Sequence, residues 1–228
     1  MTVWEGDLKP TVMAVQLARE VLAQWQAANG TSAAPADVMS AAAPAQRLQQ
    51  QTRWQPPDTD YLKCNVDAAI FEEQRSFGIG IGMCIRDCHG NFIKASTKWY
   101  DGVPPPSEAE AMGLRDAILW LGQLGLSKVQ IELDCKLVVE SILDRTNSQS
   151  EFANIINMCR SLLQQFSNFK ISFVRRQANY VTHGLARVSK LYARHHVFDS
   201  ISSCINSILL NEIIRVIDCQ KNKLQLKI

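Results

Sequence analysis

The chain has 228 residues, 46% of them hydrophobic and 20% charged, which suits one compact α/β core carrying extra segments. Its 24 Lys and Arg against 22 Asp and Glu leave a net charge of +2, so overall charge does not by itself mark a nucleic-acid binder. No apolar run reaches the roughly 18 residues needed to span a bilayer, and the N-terminal residues lack the basic flank and apolar core of a signal peptide, so a soluble intracellular monomer with no membrane partner is expected, in nucleus or cytoplasm.

Residues 9–28 have helical composition with a partial apolar stripe of Val12, Val15, Leu17, Val21, Leu22 and Trp25, and read as a peripheral helix. Residues 29–53 turn to Ala, Pro, Gln and Ser and read as a flexible linker, with the WQPP at Trp54 marking a domain entrance. Residues 62–69 and 77–85 read as strands. In the second, Gly78, Gly80 and Gly82 alternate with Ile79, Ile81 and Met83, which leaves one face bare and often marks close approach of another backbone. Asp87-Cys88-His89-Gly90 is a turn signal, and residues 92–99 return as a third strand.

Residues 108–124 put Ala111, Leu114, Ala117, Ile118 and Leu121 on one face of a helix that Gly125 can stop. A strand at 128–133 ends on Asp134, followed by a short helix at 136–143, an amphipathic helix at 151–166, a strand at 170–174 and a helix at 179–194. Two helical crossovers imply a five-stranded mixed sheet flanked by helices, three strands antiparallel and then two parallel. Beyond His196, residues 197–217 carry Phe198, Ile201, Ile205, Ile208, Leu209, Ile213 and Val216, which predicts one or two amphipathic helices docked on the domain; the lysine-rich 221–228 reads as frayed. The resulting division is a peripheral helix at 1–28, a linker at 29–53, an α/β domain at 54–196 and a helical extension at 197–228.

Seven cysteines lie mostly inside apolar runs, and Cys84 and Cys88 lack a second Cys or His pair at zinc-ligand spacing. Free thiols in a reducing compartment fit this pattern, and a disulfide scaffold or structural zinc site does not. Charge is unevenly distributed: residues 152–198 contain no acid, yet hold Arg160, Lys170, Arg175, Arg176, Arg187, Lys190 and Arg194. Such a segment suits a phosphate backbone, and equally a solvated basic face balanced by acids elsewhere.

Three acids sit where this topology can gather them: Asp67 within the first strand, Glu110 at the start of the first long helix and Asp134 after the fourth strand. An Asp between Val66 and Ala68 in a central apolar strand is costly unless paired or metal-bound. Converging hard oxygen ligands suit Mg²⁺ or Mn²⁺, and two such ions roughly 4 Å apart can drive phosphodiester cleavage. Plainer readings stand beside this one. Ser107-Glu108-Ala109-Glu110 is also a capping box, Asp134 can be an ordinary helix cap, and Trp54, Trp99 and Trp120 suit packing better than base stacking.

Asn65-Val66-Asp67, Glu110 to Leu114, Glu132-Leu133-Asp134 and the NYVTHGLAR from Asn179 to Arg187 resemble the four motifs of the ribonuclease H type-1 superfamily. The entrance WQPP, LKCNVDAA, RDCHG, EAEAMGLRDAI and FVRRQAN resemble the plant ribonuclease H-like domain of reverse-transcriptase-related retrotransposon proteins and their domesticated copies. The resemblance implies a ribonuclease H-like fold, binding of RNA/DNA hybrid or another nucleic acid, and endonucleolytic cleavage of the RNA strand with two Mg²⁺ ions, Mn²⁺ being an alternative. It implies Asp67 as the ligand shared by both ions, with Glu110 and Asp134 completing one ion site. His183 falls where the superfamily has a final Asp, which implies a doubtful fourth ligand and weaker Mg²⁺ binding or a preference for Mn²⁺. His183 also reads as a structural residue. Ala68 replaces the Gly that commonly follows the first Asp, and residues 175–178 lack the superfamily's assisting His. Arg175, Arg176, Asn179 and Arg187 are candidate nucleic-acid contacts. The alternative function is a catalytically degenerate nucleic-acid-binding or interaction module of retrotransposon origin.

Overall fold

The computed structural model describes residues 52–73, 76–144, 149–192, 194–206 and 209. The helix expected at 9–28, nearly all of the linker and the lysine-rich end lie outside the described residues.

The alternating segments form a meander: β1 (Leu62–Glu73), β2 (Ser76–Arg86) and β3 (Phe92–Asp101), each antiparallel to the next. The turn between β2 and β3 is held by Asp87, whose Oδ1 accepts from the backbone amides of His89 and Asn91, while Gly90 takes the left-handed conformation at φ +87°. Helix α1 (Pro106–Gln123) carries the chain across to β4 (Val129–Leu133), which pairs parallel to β1. Helices α2 (Lys136–Leu143) and α3 (Glu151–Leu163) lead to β5 (Phe169–Phe173), parallel to β4. Ser150 caps α3 by accepting from the Ala153 amide at 3.2 Å. Helix α4 (Tyr180–Val188) then crosses back to the other side.

Six strands rather than five form the sheet, in the order β5-β4-β1-β2-β3-β6. The additional β6 (His195–Phe198) pairs antiparallel to β3 along Ala95–Lys98. A four-residue strand is too short to show a period of two against the helical spacing of the apolar residues that follow it. Val197 and Phe198, expected to open a helix, are therefore strand residues, and the boundary drawn at His196 falls inside β6. Helix α4 also stops at Val188, six residues before its expected end. There the Ser189 hydroxyl donates to the Ala186 carbonyl at 2.6 Å, and a single 3₁₀ turn (Ser189–Leu191) redirects the chain toward β6.

One sheet face, carrying Cys64, Val66, Ile81, Met83, Ile85, Ile131 and Leu133, packs on α1 and α3 to form the larger core. On the other face Cys84 and Ala95 pack on Tyr180, Val181, Leu185 and Val188 of α4, backed by Phe198, Cys204, Ile205 and Leu209. The bare glycine face of β2 is the seat of α4. A Cβ on Gly82 would lie 2.3 Å from the Thr182 carbonyl, and one on Gly80 2.2 Å from that of Ala186, so only glycine lets the helix backbone settle onto the strand.

Candidate metal centre

Three elements deliver one carboxylate each to the carboxyl end of β4. Parallel pairing sets Val66 beside Leu133, so the next residue on each strand, Asp67 and Asp134, lie side by side. The first turns of α1 bring Glu110 over them. One ligand atom from each of Asp67, Glu110 and Asp134 lies within 4.8 Å of the others. Neither plainer reading of the last two holds. Helix α1 is capped at Pro105, so Ser107 lies inside the helix and forms no capping box, and α2 is capped at Cys135 rather than Asp134.

The three charges disfavour one another. Burial, followed by repulsion from Asp67 and Asp134, raises the Glu110 pKa well above the usual carboxylate range. Burial and then Asp67 push Asp134 up to about 7. Glu110 Oε2 is buried without a hydrogen-bond partner, and Asp67 is 1% exposed. A buried, unpartnered carboxylate oxygen facing two more carboxylates is a donor set that fits a hard divalent cation.

Helix α4 and the 3₁₀ turn before it (Arg176–Ala178) supply the surroundings. Asn179 is 1% exposed, and its amide donates to the Val66 carbonyl at 2.8 Å and to Asp134 Oδ1 at 3.2 Å. It therefore turns inward and fixes the two strands that carry Asp67 and Asp134. His183 is 7% exposed, with Nδ1 2.9 Å from Asp67 Oδ2. Arg176 Nη2 lies 3.1 Å from His183 Nδ1 and 3.4 Å from Nε2. Near-equal distances to both ring nitrogens put the guanidinium over the imidazole face, leaving the Nδ1 proton for Asp67. Arg175 is exposed, and Arg187 is half-buried with an unpartnered Nε. Other members of the basic segment are engaged within the domain: Lys170 with Asp58, Lys190 with Glu73, and Arg160 with the carbonyls of Ser141 and Asp144.

Beneath the acids runs a buried polar brace that sequence reasoning did not identify. Lys63 Nζ donates to Glu132 Oε1 at 2.5 Å and to the Gln55 carbonyl at 2.7 Å, and Asn65 Nδ2 donates to Glu132 Oε2 at 3.1 Å. Asn65 Oδ1 accepts from Arg86 Nη2 at 3.0 Å and from Trp54 Nε1 at 2.8 Å, and the Arg86 guanidinium stacks on the Trp54 ring at 3.8 Å. Burial outweighs the attraction of Glu132 and lowers the Lys63 pKa. The brace ties together WQPP, LKCN, the arginine of RDCHG and the glutamate of ELD. A legible signal existed: Lys63, Asn65 and Asp67 alternate along one face of an otherwise apolar strand.

A mixed sheet with three carboxylates gathered where β1, β4 and α1 meet defines a ribonuclease H-like domain. The chain belongs to the Reverse transcriptase-like family, whose profile matches residues 65–189. It is 23% identical over 165 residues to an Arabidopsis thaliana protein provisionally named as a ribonuclease H, an alignment covering 72% of this chain and 26% of that protein. The chain thus spans about a quarter of that relative's length. Among solved structures, RNase H1 of the halophilic archaeon Halobacterium salinarum superposes with a TM-score of 0.50 at 18% identity, covering 57% of this chain and 96% of that one. LC11-RNase H1, isolated from compost by a metagenomic approach, gives 0.50 at 17% identity with the same coverages. These likenesses concern the fold. No helix among the described residues is long and apolar enough to cross a membrane.

Proposed function

We propose that this domain binds RNA/DNA hybrid as a monomer and hydrolyses phosphodiester bonds of the RNA strand, using divalent cation, Mg²⁺ or Mn²⁺, held by Asp67, Glu110 and Asp134. The observation that carries this reading is the convergence of the three carboxylates around a buried oxygen of Glu110 that has no protein partner. A divalent cation held by Asp67, Glu110 and Asp134 would supply Lewis-acid activation of water and charge stabilisation at a phosphate. The residues of the chain do the rest. Asn179 holds Asp134 against β1, and the backbone amide of Ala68 donates to the Glu110 carboxyl. Exposed Arg175 and the half-buried Arg187 suit the phosphates of a duplex lying across this end of the sheet. The functional unit in this reading begins at Trp54, whose indole belongs to the brace, and runs at least to Leu209, which packs behind α4.

A second reading, a module that binds nucleic acid and no longer cleaves, is favoured by one observation: the fourth acidic position holds His183, and His183 is engaged with Asp67. One assay separates the two. End-labelled RNA/DNA hybrid is incubated with Mg²⁺ and then Mn²⁺, with Asp67→Asn as control. Cleavage abolished by the substitution supports the nuclease; salt-sensitive binding without cleavage supports the degenerate module; neither outcome rejects both.

A further inference from the structure

Two cations are what the superfamily resemblance implies, and the surroundings of Asp67 leave room for one. We propose that this centre takes a single divalent cation and that the Arg176 guanidinium, stacked on His183, stands in the place of the second. The inference rests on the metal-binding reading of Asp67, Glu110 and Asp134 and specifies its stoichiometry.

Geometry comes first. Each carboxylate has one oxygen held by a non-acidic group: Asp67 Oδ2 by His183, Asp134 Oδ1 by Asn179, and the Glu110 carboxyl by the Ala68 amide. Asp67 and Asp134 also share a side-chain hydrogen bond, the contact that a cation would replace, which leaves one oxygen from each residue, a three-donor face suited to one hard ion. A second ion would have to share Asp67 through the oxygen already bonded to His183. It would also meet the guanidinium that covers the imidazole face at 3.1 and 3.4 Å. His183 offers no lone pair from Nδ1 while that nitrogen donates to Asp67.

Charge points the same way. Three carboxylates supply three negative charges, and Arg176, which stays protonated, returns one. Its field favours the ionised forms of both Glu110 and Asp134, so it acts on the acids themselves and not only on His183. The remainder of two negative charges is closed by one divalent ion. Two such ions would leave an uncompensated excess of two positive charges in a half-buried site. With a fourth carboxylate in place of His183 and no guanidinium over it, four negative charges would balance two ions.

The test counts ions with Mn²⁺ alone on the full chain, using equilibrium titration and the electron paramagnetic resonance spectrum of the bound metal. Wild type is expected to bind one equivalent with the spectrum of an isolated ion. The double variant Arg176→Ala/His183→Asp is expected to bind two equivalents with the coupled spectrum of ions roughly 4 Å apart. Arg176→Ala alone, a change at an exposed residue, keeps the count at one and tightens Mn²⁺ by roughly three- to ten-fold through loss of a like charge. Two equivalents in wild type, one in the double variant, or weaker binding in Arg176→Ala overturns the inference while leaving the acidic centre standing. No binding in wild type, or binding that Asp67→Asn does not weaken, removes the centre itself and the inference with it.

Discussion

Asp134→Asn should make the metal-free domain more stable at neutral and alkaline pH while ending its response to Mg²⁺. The Asp134 carboxyl moves from an ordinary 3.8 to about 7 on folding, because burial and then Asp67 disfavour its charge. An acid whose pKa is raised by folding holds its proton more tightly in the native state. Its contribution is therefore neutral below 3.8, turns against folding as pH rises toward 7, and is constant above that. Roughly three pKa units at about 1.4 kcal/mol each set an upper bound near 4 kcal/mol, and relaxation among the three coupled acids brings the gain to about 2–4 kcal/mol. Asparagine has nearly the same shape, and its Oδ1 can still accept from Asn179. For a domain of this size the shift in Tm is roughly 5–15 °C at about pH 8, nearly absent at about pH 4. Thermal unfolding in chelator at the two pH values measures it. Added Mg²⁺ should stabilise wild type by about 2.7 kcal/mol at a hundred times its Kd, and leave the variant unmoved. A variant less stable than wild type at alkaline pH, or a gain equal at both pH values, would refute the reasoning.

Three further perturbations address other parts of the molecule. Gly82→Ala drives a Cβ to 2.3 Å from the Thr182 carbonyl and 2.5 Å from the Ala186 amide nitrogen, so α4 must lift. The expected cost is about 1–3 kcal/mol by urea unfolding, with a larger loss of cleavage than of stability; unchanged values of both would mean α4 is not seated on this glycine. Lys63→Met strands Glu132 in the interior and should cost about 3–5 kcal/mol, most of it recovered by adding Glu132→Gln; a lone Lys63→Met of native stability would show that the brace carries nothing. Arg175→Ala should weaken hybrid binding evenly across sequences and reduce the slope of log affinity against log salt by about 1, whereas an unchanged slope removes Arg175 from the phosphate track.

How much of this was legible along the chain depends on whether a signal is local. Asp67 stood out because a carboxylate between Val66 and Ala68 breaks an apolar strand, and the glycines of β2 announced a close neighbour without naming it. Glu110 and Asp134 were ambiguous, since caps and ligands use the same residue types at helix starts; only the positions of Pro105 and Cys135 as the actual caps separated them. The ion pair between Lys63 and Glu132 joins residues 69 apart in sequence, and no local pattern marks it. The contact of Arg176 with His183 depends on where a three-residue 3₁₀ turn leaves the chain, a geometry that neither residue type encodes. β6 was hidden for another reason: its pairing is tertiary, and the apolar spacing from Phe198 onward continues into residues that are helical at 203–206.

That hidden segment bears on the acids through α4. Phe198 closes β6, and Cys204, Ile205 and Leu209 pack against the same side chains of α4, among them Val181, Leu185 and Val188, that hold the helix on the sheet. The helix in turn carries His183 to Asp67, and the residue just before it, Asn179, to Asp134. Loss of the residues beyond β6 would expose the back of α4 and free it from one of its supports, the glycine face of β2 being another. The contact between His183 and Asp67 therefore depends on packing at the far side of α4 as well as on the centre, and a truncation that spares all three carboxylates still acts on how they are held.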